Sequence, residues 1–151
     1  MAERTRRSRA AGSKMVGRYC GRPGLYGNPW AVKVYEPTGP QPAGLHGGVI
    51  RSGPTRRFTI EGPGHQHGSM LMRDKRYATL YVVQRFHGAL AAGQLRFTID
   101  DVRRELAGQD LACYCPLVGS DGRPWPCHVD VLLLAANSPR HTILPPLPSY
   151  A

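Results

Sequence analysis

The stretch from Asp110 to Asn137 constrains the fold more than any other, because it places two buried elements on either side of a short polar loop. Asp110-Leu111-Ala112-Cys113-Tyr114-Cys115 is an apolar run after a turn, which predicts a buried strand. Pro126-Cys127-His128 then opens a helix that runs through Val129-Asp130-Val131-Leu132-Leu133-Leu134-Ala135-Ala136-Asn137. That helix is apolar on nearly every side, so it must be covered on more than one face. Residues 116–126 between them form a loop, with Asp121-Gly122 as a hairpin tip. A buried strand feeding a buried helix needs further layers around both, which points to an α/β arrangement.

The rest of the chain supplies candidates for those layers. Residues 15–21 read as a short first strand and Ala31–Tyr35 as a second. Between them lies Gly21-Arg22-Pro23-Gly24-Leu25-Tyr26-Gly27-Asn28-Pro29-Trp30, a tight loop rich in residues that tolerate unusual backbone angles. Residues 72–92 carry a helical pattern with an inner stripe of Tyr77, Leu80, Tyr81, Val83 or Gln84, and His87 or Gly88, stopped by Gly93. A second helix starts at Thr98, where Asp101 three residues on forms a capping box. Its inner stripe is Ile99, Val102, Arg103 and Leu106, and Gly108 ends it. The expected architecture is a small three-layer Rossmann-like α/β domain with a short, mostly parallel sheet. Ligands of such folds sit at the carboxyl ends of the strands.

The expected organisation is a disordered basic arm over 1–14, a single α/β domain over 15–138 and a Pro-rich tail over 139–151. Within the domain, 38–75 is a Gly/Pro-rich insertion, where Val49-Ile50 and Phe58-Thr59-Ile60 are candidates to pair as a hairpin. It also holds His46, and His65-Gln66-His67 as a weak metal clip. The chain has 151 residues, enough for one core. No run approaches the roughly 18 apolar residues of a membrane span, and no secretory signal follows the N-terminal charges. A cytoplasmic protein without membrane association is therefore expected.

Residues 1–18 hold six basic residues against Glu3 alone, half of the net charge of +10. Such an arm is drawn to nucleic acid by counterion release, or is simply a solvated tail. Four cysteines in a cytosolic chain point to metal, catalysis or packing rather than disulfides.

Three of the cysteines bracket the constraining segment. Cys113 and Cys115, two apart on a strand, face the same side with Cα atoms roughly 6.5–7 Å apart. Both sulfurs reach one zinc only if the strand bends at Cys115-Pro116. Cys127 at a helix N-terminus feels the positive end of the dipole, which favours its thiolate, and His128 is next to it. Three readings stay open. Cys113, Cys115, Cys127 and His128 form a zinc site; Cys127 is a nucleophile with His128 as base; or the cysteines are small core residues. In the earlier loop, Gly21, Gly27 and Asn28 offer backbone groups and Arg22 a charge to an anion. Arg22 needs a partner, either a carboxylate such as Asp130 or a ligand. Trp30 and Trp125 are candidates to stack on a planar ring.

Taken together, Gly21-Arg22-Pro23, Gly27-Asn28-Pro29-Trp30, Asp110 to Leu117 and Pro126 to Asn137 resemble the domain of unknown function 4326 family, found in bacteria, archaea and their phages. The resemblance covers about residues 19–36 and 76–137. The arm, the tail, 38–75 and 117–125 lie outside it. It carries over to Gly21, Arg22, Gly27, Asn28, Pro29, Cys113, Cys115, Cys127, His128 and Asp130. Cys20 stands where that family has an aliphatic residue and is left out of the site. The resemblance implies a compact α/β domain in a bacterial or phage-infected cell, with no established activity. A fainter similarity, in the Cys…Cys-His ending, is to the domain of unknown function 488 family, and it hints at nucleotides or nucleic acid.

The functional expectation is a binder of, or enzyme on, a nucleotide, nucleoside or nucleic-acid end. Gly21, Arg22, Gly27 and Asn28 would hold the anion, Cys127 and His128 would supply nucleophile and base, and Asp130 would orient a partner. The alternative is a zinc-stapled, non-enzymatic nucleic-acid-binding or phage accessory module. The oligomeric state is not legible.

Overall fold

The computed structural model describes residues 1–7, 16–35, 56–139 and 143–150. At its centre is the apolar run read as a buried strand. Leu111–Cys113, numbered β6 in chain order, is buried at every position. It is paired on both edges, in parallel, with β1 (Arg4–Arg6) and β2 (Arg18–Tyr19). A second sheet is antiparallel, in the order β3 (Ala31–Tyr35), β4 (Arg57–Glu61) and β5 (Leu71–Met72).

Two small sheets thus replace the expected single, mostly parallel one. The reason is that Ala31–Tyr35 pairs along its whole length with Arg57–Glu61, Val32 opposite Ile60 and Val34 opposite Phe58. Phe58-Thr59-Ile60 accordingly forms its ladders with β3 and β5; Val49-Ile50 and His46 lie outside the described residues.

Helix α1 (Lys75–Ala91) packs against β3, β4 and β5 on one side and α3 (His128–Asn137) on the other. Helix α3 in turn packs on β6, β1 and α2 (Ile99–Leu106), so it is enclosed as its composition requires. Asp74 caps α1, accepting from the N–H groups of Arg76 and Tyr77, and Gly93 follows the last turn. The buried face of α1 is Ala78, Val82, Val83, Phe86, Ala89 and Leu90. Only Val83 belongs to the stripe read from the sequence; Tyr77 is 63% exposed. The residues buried on α1 include small Ala78 and Ala89, while Tyr77 points to solvent and Tyr81 packs only partly against the core. For α2 the capping box is present as expected, and Val102 and Leu106 are buried.

Both chain ends depart from the expectation of free segments. Residues 4–6 of the basic arm are a strand of the parallel sheet. Arg4, with a side chain 10% exposed, donates through Nη1 to the carboxylate of Asp130 at 2.7 Å and to the carbonyl of Trp125 at 2.9 Å. Its Nη2 donates to the carbonyl of Leu117 at 3.0 Å. The Pro-rich tail packs back: Leu144 is buried, Pro145 accepts from His87, and the Tyr150 hydroxyl donates to Asp130 at 2.9 Å. A half-buried carboxylate with two donors ties the first strand, the last helix and the tail together. Residues 8–15 of the arm lie outside the described residues.

Replacing Arg4 by Ala removes one partner of this shielded pair and leaves two carbonyls short of a donor. We expect a loss of about 2–4 kcal/mol in urea denaturation, against less than about 0.5 kcal/mol for Arg6→Ala on the exposed end of the same strand. Equal, small effects would show that the first strand is dispensable.

Candidate functional site

All three parallel strands point their carboxyl ends the same way, so Arg7, Cys20-Gly21-Arg22 and Tyr114-Cys115 emerge at one edge of the sheet. After Cys113 the chain bends at Tyr114 and Cys115, one residue earlier than the expected Cys115-Pro116. The bend brings the Cys113 and Cys115 sulfurs to 3.5 Å. Cys127 is the N-cap of α3, and its sulfur joins them: the three Sγ atoms all lie within 4.8 Å of one another. The edge of a tetrahedron with Zn–S bonds of 2.3 Å is about 3.8 Å, so the trio has the span of three thiolate ligands around one ion. Three close cysteines of this kind could hold a metal ion.

Without an ion the three thiols compete for protons. The Cys113 and Cys115 sulfurs are in hydrogen-bond contact at 3.5 Å, and the neighbouring Cys115 and Cys127 thiols hold the Cys113 pKa far below that of an ordinary thiol. The same contacts push Cys115 up to about 11 and Cys127 well above the usual range, with burial adding to both. The helix N-terminus was expected to make Cys127 the thiolate. Instead the lowered pKa falls on Cys113, which has the other two thiols as neighbours. Cys127 is only 1% exposed, and Cys115 is the most exposed of the three.

His128 stands beside the trio rather than in it. Its Nε2 is 2.7 Å from the carbonyl of Cys20, a distance that requires Nε2–H as donor. The remaining nitrogen, Nδ1, faces the Cys127 sulfur at 3.9 Å. Burial lowers the His128 pKa and keeps the ring neutral, so its work is to lock the end of β2 to the start of α3. Asp130 is likewise removed from the site by Arg4 and Tyr150, and it is not the partner of Arg22. Burial raises its pKa, against the opposing pull of Arg4.

The glycine loop contributes differently from the expected backbone cradle. The N–H groups of Gly24 and Gly27 are spent inside the loop, on the carbonyls of Gly21 and Gly24. Asn28 is buried: its Nδ2 donates to the carbonyl of Val82 at 3.1 Å and its Oδ1 accepts from the Trp30 N–H at 2.9 Å. It pins the loop to α1. The glycines instead make room for one residue. A Cβ on Gly27 would stand 3.0 Å from the backbone of Arg22, and one on Gly21 would stand 2.3 Å from the Tyr19 hydroxyl, which donates to the Arg22 carbonyl. The loop therefore seats Arg22, whose side chain is exposed and pairs with no carboxylate among the described residues.

Arg22 borders a cavity of about 480 Å³ that has the three cysteines and His128 at its base. Its walls include Tyr19, Trp30, Tyr114 and Trp125, and Lys75 at the start of α1 supplies a second cation. No Asp or Glu lines it. Tyr19, Tyr114 and Lys75 were not picked out from the sequence. The tyrosines flank the cysteine positions at the strand ends, and that adjacency was the available signal; Lys75 had none. The His65 and His67 rings turn to Tyr81 and Glu61 respectively, so they form no clip.

The family described as Domain of unknown function (DUF4326) matches residues 4–138. The chain belongs to this family. The DUF4326 match begins at Arg4, so β1 is part of the family's domain and not an appended arm, while residues 139–151 lie beyond it. No curated protein and no solved structure matches the chain. Among the described residues no helix is long and apolar enough to cross a membrane.

The Asn28 side chain satisfies two buried backbone groups. Asn28→Ala is expected to cost about 2–4 kcal/mol in chemical denaturation, because it strands both. A variant of unchanged stability would return Asn28 to the residues free to bind a ligand.

Proposed function

We propose that this DUF4326 domain binds a nucleotide-class anion in the cavity above a three-thiolate metal centre. One observation carries the reading. Three sulfurs from two separate elements converge at the base of a cavity whose rim carries an unpaired arginine and no carboxylate. Soft thiolate donors favour zinc over magnesium or calcium, and a bound ion would supply a Lewis acid at the cavity floor. Cys113, Cys115 and Cys127 are the residues that would hold it. No fourth His, Cys, Asp or Glu donor joins them among the described residues, so a bound ion would complete its coordination with a ligand from outside this trio.

The chain's own residues account for the ligand class. Arg22 presents a planar fork of donors suited to phosphate, and Lys75 adds a point charge. Trp125, Tyr114 and Tyr19 give flat apolar walls for a base. The cavity volume falls within the usual range for a small-molecule site. The locked pair of His128 and the Cys20 carbonyl holds the β2 end, and with it Arg22, at fixed distance from the trio.

Freshly purified protein is expected to carry about one zinc per chain by elemental analysis, and Cys115→Ser to lose most of it. In calorimetry against nucleoside mono-, di- and triphosphates, Arg22→Ala should weaken binding about 10- to 100-fold, the value of a charge-assisted hydrogen bond. Metal-free protein with unchanged melting in chelator would remove the metal centre from this reading. Nucleotide affinities equal in wild type and Arg22→Ala would remove the ligand.

A further inference from the structure

The cavity is not the only cationic feature at this edge. Arg7, the residue after β1, donates its backbone N–H to the carbonyl of Cys113 at 2.8 Å, which fixes it beside the site. Its guanidinium lies over the Tyr19 ring, 4.6 Å from the centroid, and over the Tyr114 ring at 5.2 Å. These are two of the cavity's wall residues, and they meet each other edge to face with centroids 5.6 Å apart. Arg7 pairs with no carboxylate among the described residues, and neither do Arg22 and Lys75. Arg22 and Lys75 thus line the cavity with two touching tyrosines, and Arg7 lies over those tyrosines, within a chain of net charge +10.

A lone mononucleotide uses only part of that arrangement. A cavity of about 480 Å³ closed below by the buried Cys113 and Cys127 has room for one nucleotide, and Arg7 lies beyond it, behind the tyrosines. Basic residues interleaved with aromatic rings are the arrangement that tracks a single strand, with charges on the phosphates and rings on the bases. Resting on the nucleotide reading above, we infer that the ligand is the terminal nucleotide of a single-stranded nucleic acid. The end nucleotide enters the cavity under Arg22 and Lys75. The next one leaves over the Tyr19–Tyr114 pair, where Arg7 meets its phosphate. Such a ligand gives Arg7, the first residue after β1, a partner at the site edge. It also assigns Arg7 a role that differs from that of Arg22.

The test compares a labelled five-nucleotide single strand, as DNA and as RNA, with the matching mononucleotide. The full-length protein is used and anisotropy or calorimetry is read at several salt concentrations. At least one linear strand is expected to bind ten-fold or more tightly than the mononucleotide, and circularising the strand should abolish the gain. Arg7→Ala should reduce strand affinity about ten-fold and leave mononucleotide affinity unchanged. It should also lower the salt slope by about 0.7, because one fewer phosphate is neutralised. Arg7→Lys, which keeps the charge and spares the strand from truncation, should retain the wild-type slope. Arg22→Ala should weaken both ligands. The inference is overturned if neither strand binds more tightly than the mononucleotide, if a circle binds as well as a linear strand, or if Arg7→Ala weakens both ligands equally. Failure of the mononucleotide itself to bind would instead sink the reading on which this one rests.

Discussion

The arrangement of the site depends on the parallel pairing of Leu111–Cys113 between two short strands. A central strand hydrogen-bonded on both edges is held in register by two partners, and a one-residue slip would exchange small Ala112 with Leu111 and Cys113 between its two packed faces. That register sends Arg7, Arg22 and Cys115 out of the same edge. The tight return from Cys115 to Cys127 then sets the start of the enclosed helix above them. The Gly119–Arg123 backbone bonds close this return, and Arg4 holds both of its ends through the carbonyls of Leu117 and Trp125. The position of three sulfurs therefore follows from backbone pairing and one shielded ion pair, with little left to loop mobility.

The loop between β2 and β3 illustrates how polar residues divide between support and contact. The N–H groups of Gly24 and Gly27 are consumed by its own turns, and its buried asparagine is consumed by α1 and Trp30. What is left over is Arg22, with two glycines whose missing side chains leave it space. An anion there would meet a guanidinium on a stiff mount rather than a cradle of N–H groups.

Much of this was legible in the sequence, for physical reasons that differ by element. Helix α3 could be read because a helix apolar on all sides has few ways to exist, and the Thr98–Asp101 box because its signal is local. The convergence of Cys113, Cys115 and Cys127 followed from strand alternation and a helix start. The first strand was not legible: Arg4-Thr5-Arg6 has no apolar face, since it is held by backbone pairing and by the reach of Arg4 to Asp130, 126 residues away. The inner face of α1 was misjudged because tyrosines weigh heavily in a periodicity count, while the packed face is made by Ala78, Val82, Val83, Phe86, Ala89 and Leu90. Asn28 and Asp130 looked like site residues because polar side chains near a motif invite that reading. Their partners, Val82 and Arg4, come from distant segments that no local pattern could reveal.

The central claim is that three thiolates share one metal position and that the remaining position is not filled by sulfur. X-ray absorption at the zinc edge of the purified protein tests it without reference to any ligand or activity. Three sulfur scatterers at about 2.3 Å with one lighter atom are predicted. A shell of four sulfurs, which would have to recruit Cys20, or a shell of nitrogen and oxygen alone, would contradict it.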